Sequence, residues 1–384
     1  MGSAELIIDL DHLGHNFKVL RLASLNLPSF AVIKARSYGL GAVEIAKYFE
    51  KNFPVAELPL FCLARFEEVE VLRKAGVTRD CLVMSGSHSH ELYENLSQRD
   101  HLCFSSLEDL QLFASRKTSK NIVKAHLHFN TGMNRLGLSP SLLENLPEVI
   151  QLLKSCSQKG MVFEGLMSHL ACAEQERVKM SDFQLKSFDK IVSALKLSWP
   201  SILGAFPKWI HLENSEGVAH DVRSSNITAI RPGLHLWGIR EDTSTPRAKY
   251  ELKAVACVRG RVRQIHELKS GDGIGYGLSH ICSKETRSAT VNLGYADGLL
   301  RQAANSSKLG LFIDGKRAPF LGRISMDLCS VDVSEMSQVK VGDWAYWICA
   351  EQPLEKIATE LQTITYEMQC SLGARLVPVY KGAS

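Results

Sequence analysis

The sequence predicts an α/β fold, an N-terminal (β/α)8 barrel followed by a mainly antiparallel β domain. Three observations predict it. Eight short β-prone runs alternate with helical patterns through residue 231. After about residue 245 the runs become short and alternating, separated by Gly-rich turns. Reactive side chains also recur where the apolar runs end, the end of a barrel strand at which active sites are built.

The eight candidate strands are residues 30–35, 58–64, 81–86, 101–105, 123–130, 161–168, 208–213 and 226–231. Between them, GAVEIAKYFEKN, RFEEVEVLRKAG, SSLEDLQLFASRK, PSLLENLPEVIQLLKSCS and DFQLKSFDKIVSALKLS repeat apolar residues three and four apart, the spacing of a helix face. Ahead of the first strand, Leu10, Leu13, Phe17 and Leu20 form one apolar stripe behind Asp9, a suitable N-cap. Helices between strands return the chain to the same sheet end, so the strands run parallel, and eight such units in this length suit a TIM-type barrel. A doubly wound open sheet is the competing arrangement.

The polar stretch DTSTPRAKYELK divides the chain into an expected barrel, residues 1–245, and a second domain, residues 246–384. There, LKAVACVRGRVRQI, RSATVNLG, LGLFIDG, CSVDVSEM and WAYWICA read as antiparallel strands, broken by GDGIGYG, YADG, DGK and VGD turns. A short helix is expected near PLEKIATELQ.

At 45% hydrophobic and 22% charged residues, the chain has the apolar content to bury a core, which excludes wholesale disorder. Its net charge of +4 is spread without a long basic run, so no nucleic-acid partner is expected. No apolar stretch reaches the length of a spanning helix, and the start lacks the pattern of a secretory signal. The ten cysteines are scattered without CxxC spacing, which points to a reducing, cytoplasmic setting and gives no metal motif.

Lys34 ends the first apolar run, in AVIKARSYGLG. Burying an ammonium is costly, whereas a neutral amine is a nucleophile that can condense with an aldehyde. A lysine whose head reaches solvent is the bland alternative. Other strand ends add Arg135, His169, Ser215 and the Arg231-Pro232-Gly233 run. Loops after the seventh and eighth strands are the usual phosphate cradle of such barrels, and Ser215 and Gly233 supply a hydroxyl and an approachable amide. An aldehyde that carries a phosphate describes pyridoxal 5'-phosphate.

AVIKARSYGLG resembles the cofactor-lysine motif of alanine racemases. The likeness runs nearly end to end through AELIIDLDHLGHN, NTGMNRLG, GLMSHL, NSEGVA, IRPGLHLWGI, GIGYGLSH, LGYADGLLR, GRISMDLCSVDV and ITYEMQ, with Tyr276 and Tyr295 spaced 19 apart as in that family. The resemblance implies that Lys34 holds pyridoxal 5'-phosphate covalently and is the base on one face. It also implies that Tyr38, Ser215, the backbone of Gly233 and Leu234, and Tyr366 hold the phosphate. Arg231 would face the pyridine nitrogen with His169 behind it. An arginine does not release its proton, so the ring nitrogen stays unprotonated and side reactions such as transamination are limited.

Racemisation needs a proton removed from one face of Cα and another delivered to the opposite face. By the same resemblance Tyr276 is the second base, lent by the partner subunit, while Met326 and Arg135 hold the substrate carboxylate. A shared site makes a homodimer part of catalysis. The resemblance implies interconversion of L- and D-alanine, with D-alanine biosynthesis as one physiological use.

This chain departs from the family at His128, where a carbamylated lysine is common, at Asn130 for aspartate, and at Arg36 and Leu40 beside the cofactor tyrosine. The expectation is that a bound anion or His128 orients Arg135. Alternative readings are a broader small amino-acid racemase that also takes serine, a non-catalytic cofactor-binding barrel, or an aldolase or decarboxylase. The second is disfavoured by Tyr276 and GRISMD, and the third by the lack of a metal cluster.

Borohydride reduction of the protein with pyridoxal 5'-phosphate is expected to leave a pyridoxyl adduct on Lys34 by peptide mass spectrometry. The Lys34→Ala protein should carry none and lose the cofactor's visible absorbance; an unchanged spectrum would contradict the assignment.

Overall fold

The computed structural model describes residues 3–85, 88–117, 121–172, 178–240 and 250–382. Residues 241–249, which take in most of the DTSTPRAKYELK connector, lie outside the described residues.

The chain opens with β1 (Ala4–Asp9) and α1 (Leu10–Ala23), where Asp9 accepts a hydrogen bond from the His12 amide as the expected cap. Then β2 (Ala31–Val32), α2 (Lys34–Tyr38), α3 (Ala42–Asn52), β3 (Leu60–Leu63), α4 (Phe66–Lys74), β4 (Asp80–Val83), α5 (His90–Asn95), β5 (Asp100–Phe104) and α6 (Leu107–Ala114) follow. They lead to β6 (Val123–His128), α7 (Leu146–Gln158), β7 (Met161–Met167), α8 (Val178–Ser198), β8 (Trp209–His211) and α9 (Ser215–Ala219).

Strands β2 to β8 lie side by side in chain order, every pair parallel. The expected eighth stave, 226–231, is an irregular segment. The Thr228 amide donates to the Ile210 carbonyl on one side, and Phe30 and Ile230 pair through Ile230 to Pro28 and Phe30 to Ile230 on the other. That stitching closes the ring. The Thr228 hydroxyl takes the Ile210 amide at 2.8 Å, supplying with a side chain what a regular ladder supplies with backbone.

The second domain contains β9 (Ala256–Leu268), β10 (Gly273–Ile274), β11 (His280–Ile281), β12 (Thr286–Val291), β13 (Leu311–Ile313), β14 (Lys316–Ala318), β15 (Cys329–Asp332), β16 (Trp344–Ile348), α10 (Leu354–Glu360), α11 (Thr365–Cys370) and β17 (Val377–Lys381). Its main sheet is ordered β14-β13-β16-β9-β1-β17, with β12 joining β9 and β15 joining β12. All these pairs are antiparallel except β1 with β17.

β1 is a strand that the helical reading of the N-terminus passes over. It precedes the barrel in sequence but pairs inside the second domain's sheet, against β9 and β17. Its burial explains why: Leu6, Ile7 and Ile8 are all covered, the mark of a central strand. The fully buried Asn16 on α1 then spans the two parts, donating to the Leu236 and Lys253 carbonyls and accepting from the Lys253 amide. Among the described residues no helix is long and apolar enough to cross a membrane.

Candidate active site

Lys34 leaves the β2 ladder and begins α2, and the backbone there is unusual. Ala35, Arg36, Ser37 and Tyr38 all have φ between 51° and 56°, a full turn wound left-handed by side-chain-bearing residues. Each such residue costs about 1–2 kcal/mol, so the turn persists only because its surroundings dictate it. Glu68 on α4 dictates much of it. One carboxylate oxygen accepts the Ala35 amide at 2.6 Å and the other accepts the Ala64 and Arg65 amides at 2.7 and 3.1 Å. Behind the turn Gly39 approaches α11 so closely that a Cβ would lie 2.6 Å from the Gln369 carbonyl.

The turn aims two side chains into the barrel mouth. The Lys34 amine is half-buried, and burial followed by the charge of Arg135 pulls its pKa below the ordinary lysine value. Tyr38 is buried, its ring 6.0 Å from that of Tyr366 and 5.7 Å from that of Trp237. Burial pushes its phenol up, so it stays a neutral hydrogen-bond donor.

Across the mouth, Asn214 caps α9 by accepting the Gly217 amide, which leaves Ser215 as the first helical residue. The buried Ser215 hydroxyl accepts the Gly233 amide at 2.9 Å and the His235 amide at 3.3 Å. A Cβ on Gly233 would lie 2.5 Å from the Tyr38 hydroxyl, so glycine is what lets the phenol, hydroxyl and amide converge. His235 braces this corner through Glu216 at 2.9 Å and Tyr250 at 3.0 Å. Leu234 is buried and opens the short 3-10 turn Leu234–Trp237.

Arg231 is almost wholly buried. One terminal nitrogen donates to the His211 carbonyl at 2.8 Å and to His211 Nδ1 at 2.6 Å. The other donates to the Ser168 carbonyl at 2.6 Å, to the Leu212 carbonyl at 3.3 Å and to His169 Nδ1 at 3.3 Å. Burial, then the Arg231 charge, drives His169 and His211 well below the usual histidine range, so both rings are neutral acceptors toward it.

Arg135 is exposed, near enough to Lys34 to disfavour its protonation. The expected orienting contact from His128 is not made. His128 Nδ1 meets the Ser105 hydroxyl at 3.1 Å, and burial reinforced by Arg231 and Arg135 lowers its pKa to about 4, so it is uncharged. Asn130 instead organises its own loop, accepting the Gly132 and Asn134 amides.

Tyr276 and Met326 belong to the second domain. Tyr276 is 72% exposed at the tip of the β10–β11 hairpin and Met326 is 52% exposed. They share a cleft with Tyr295, Arg301, Arg323 and Asp327.

The barrel, residues 8–241, matches the family model "Alanine racemase, N-terminal domain", and residues 255–380 match "Alanine racemase, C-terminal domain". The chain belongs to the alanine racemase family. It is 31% identical to the alanine racemase of Aquifex aeolicus and 30% identical to that of Desulforamulus reducens, with 98% of both chains covered in each case. Among solved structures it resembles alanine racemase from Clostridium difficile 630, with a TM-score of 0.88 at 27% identity over 99% of this chain and 96% of that one. A second alanine racemase, from Bartonella henselae with covalently bound pyridoxal phosphate, gives a TM-score of 0.82 at 26% identity over 99% and 100%.

Two features of this alanine racemase family member escape a reading of strand ends. Glu68 follows Arg65 by three residues, the spacing of a carboxylate that turns back onto a helix start, and that signal is local and legible. The buried histidines His101, His126 and His211 sit inside strands that read as apolar, where only their odd polarity gives a hint.

Glu213, between His211 and Ser215, is buried, neither carboxylate oxygen has a hydrogen-bond partner, and burial pushes its pKa up to about 7. The folded state therefore keeps a proton that the unfolded state releases above about 4.5. This group's stabilising contribution is full below that pH and is lost as pH rises through 7. Glu213→Gln removes the penalty. Its stability advantage over the wild type, from urea unfolding, should be under about 1 kcal/mol at pH 5 and grow to roughly 3 kcal/mol at pH 8.

Proposed function

We propose that this protein is a pyridoxal 5'-phosphate-dependent alanine racemase that interconverts L- and D-alanine with two bases, Lys34 of one protomer and Tyr276 of a second copy. The observation that carries this reading is the lowered-pKa amine of Lys34, set beside a cradle formed by Tyr38, Ser215 and Gly233 and facing a buried arginine. The residues fit the cofactor. An amine whose protonation burial disfavours suits an aldehyde, a glycine-lined corner with hydroxyl donors suits a phosphate, and the tilted ring of Tyr366, 6.0 Å from that of Tyr38, completes it.

When bound, the cofactor withdraws electrons from the substrate Cα and so acidifies its proton. The protein does the rest. Lys34 exchanges a proton on one face of Cα, and the burial that lowers its basicity favours the free amine that accepts one. Arg231 would hold a fixed positive donor toward the cofactor, since its Nε–H carries none of the bonds to the carbonyls and histidines behind it. Arg135 adds a second cation that favours a bound carboxylate, joined by the backbone at Met326.

Tyr276 handles the opposite face. Its exposure in the single chain, together with that of Met326, supports a homodimer in which each barrel mouth receives the other copy's cleft. A cytoplasmic setting completes the reading, supported by ten cysteines scattered without CxxC spacing. A small pocket discriminates by only about 1–3 kcal/mol per methylene or hydroxyl, so serine turnover is the companion measurement.

L-alanine incubated with enzyme and pyridoxal 5'-phosphate in deuterium oxide should yield D-alanine carrying deuterium at Cα by chiral chromatography and mass spectrometry. No enantiomer formation would overturn the reading. Lys34→Ala and Tyr276→Phe homodimers should each lose roughly 100-fold or more in rate. Mixed and re-equilibrated, they should recover about a quarter of wild-type activity, because half of the dimers regain one intact site. Absence of recovery in mixed dimers would remove the shared site.

A further inference from the structure

A column of histidines crosses the inside of the barrel beneath Arg231. Asp80 opens β4, His101 is the second residue of β5, His126 is the fourth of β6, His211 ends β8, and Arg231 follows the last stave. The contacts are continuous. Asp80 Oδ2 lies 3.2 Å from His101 Nε2, His101 Nδ1 lies 3.0 Å from His126 Nε2, His126 Nδ1 lies 2.8 Å from His211 Nε2, and His211 Nδ1 lies 2.6 Å from Arg231. Such barrels usually fill this space with branched apolar side chains.

Donor counting leaves one arrangement. Guanidinium only donates, so His211 Nδ1 accepts and its proton is on Nε2. That proton points at His126 Nδ1, which must accept, so the His126 proton is on Nε2 as well. The same step puts the His101 proton on Nε2, donated to the Asp80 carboxylate. Asp80 also accepts from Lys124 at 2.9 Å. Burial would raise its pKa, but the hydrogen bonds from His101 and Lys124 outweigh that, and the carboxylate stays ionised.

The backbone makes room for this column. The β6–β7 register shifts between Ala125 and His126, and Gly165 on β7 stands opposite His126. A Cβ on Gly165 would lie 2.2 Å from His126 Nδ1, so its absence lets that ring reach past β7 to β8.

We propose that Asp80, His101 and His126, acting through His211, form a hydrogen-bond relay of fixed polarity that positions Arg231 at the barrel mouth. These are positioning residues. Asp80 anchors the donor direction from the barrel's far end, where it lines a cleft with His101, Arg99, Lys124 and Lys208. If any one ring carried its proton on Nδ1, two donors would meet within the column, and reversing the column would set an N–H of His211 against Arg231. The effect on catalysis rests on the racemase reading, whereas the polarity of the column does not.

Neutron diffraction from crystals of the deuterated holoenzyme should place deuterium on Nε2, and none on Nδ1, of His101, His126 and His211. Deuterium on Nδ1 of any of the three overturns the relay, without reference to activity. In a racemase assay, His101→Leu should lower kcat about tenfold or more with a smaller change in KM, while His101→Gln, which can accept from His126 and donate to Asp80, should restore kcat to within a few-fold. Equal kcat for wild type, His101→Leu and His101→Gln would also overturn it. Should His101→Leu fail to fold, Asp80→Leu, at a partly exposed position, takes its place with the same expected loss. Wild-type inactivity would defeat the racemase reading alone, because the deuterium positions still decide the relay.

Discussion

A guanidinium buried inside a barrel has to be surrounded by acceptors, and the arrangement around Arg231 follows from that need. Three backbone carbonyls, at Ser168, His211 and Leu212, turn toward it from the ends of β7 and β8. Two imidazoles present lone pairs to it, and their burial keeps them neutral and able to do so. Leaving a buried charge unpaired costs several kcal/mol, so this acceptor set is a condition of folding as well as of chemistry. It also explains an interior lined with histidine where branched aliphatics are the norm.

The opposite wall of the mouth is governed by strain. Four consecutive side-chain-bearing residues in the left-handed region carry the chain from Lys34 to Tyr38. Glu68 holds the start of that turn, and the close approach of Gly39 to α11 holds its end. Because α11 belongs to the second domain, the geometry of the lysine turn depends on how barrel and sheet pack. β1 and Asn16 secure that packing by tying the chain's first residues into the far sheet. The barrel mouth is thus finished by sequence from both ends of the chain.

Much of this was legible in the residues. The alternation of apolar runs and helical stripes located strands β2 to β8 and helices α1, α3, α4, α6, α7 and α8 to within a few residues, because both periods reflect which face is buried, while the short α2 and α5 carry no such stripe. Lys34, Ser215, Arg231 and Gly233 could be singled out because charge and glycine at the end of an apolar run ask for an explanation. The strand identity of Ala4–Asp9 was less legible. Its apolar run merges into the helix stripe that follows, and its partners lie about 250 and 370 residues away. Of the two expected ways to orient Arg135, a bound anion or His128, the second is not made, since the His128 ring meets the hydroxyl of Ser105, the residue directly after β5.

By itself, the sequence determined the order of elements, the family blocks and the chemical types available at each strand end, because these depend on local periodicity and on residue identity. Only the tertiary structure decided which of those groups meet: that Glu68 clamps the lysine turn, that three histidines from separate strands line up under Arg231, and that Tyr276 and Met326 share one cleft. Those contacts join residues far apart in sequence, and their geometry is set by strand register, by a missing Cβ at Gly165 and by a bulge in β7, none of which has a local signature.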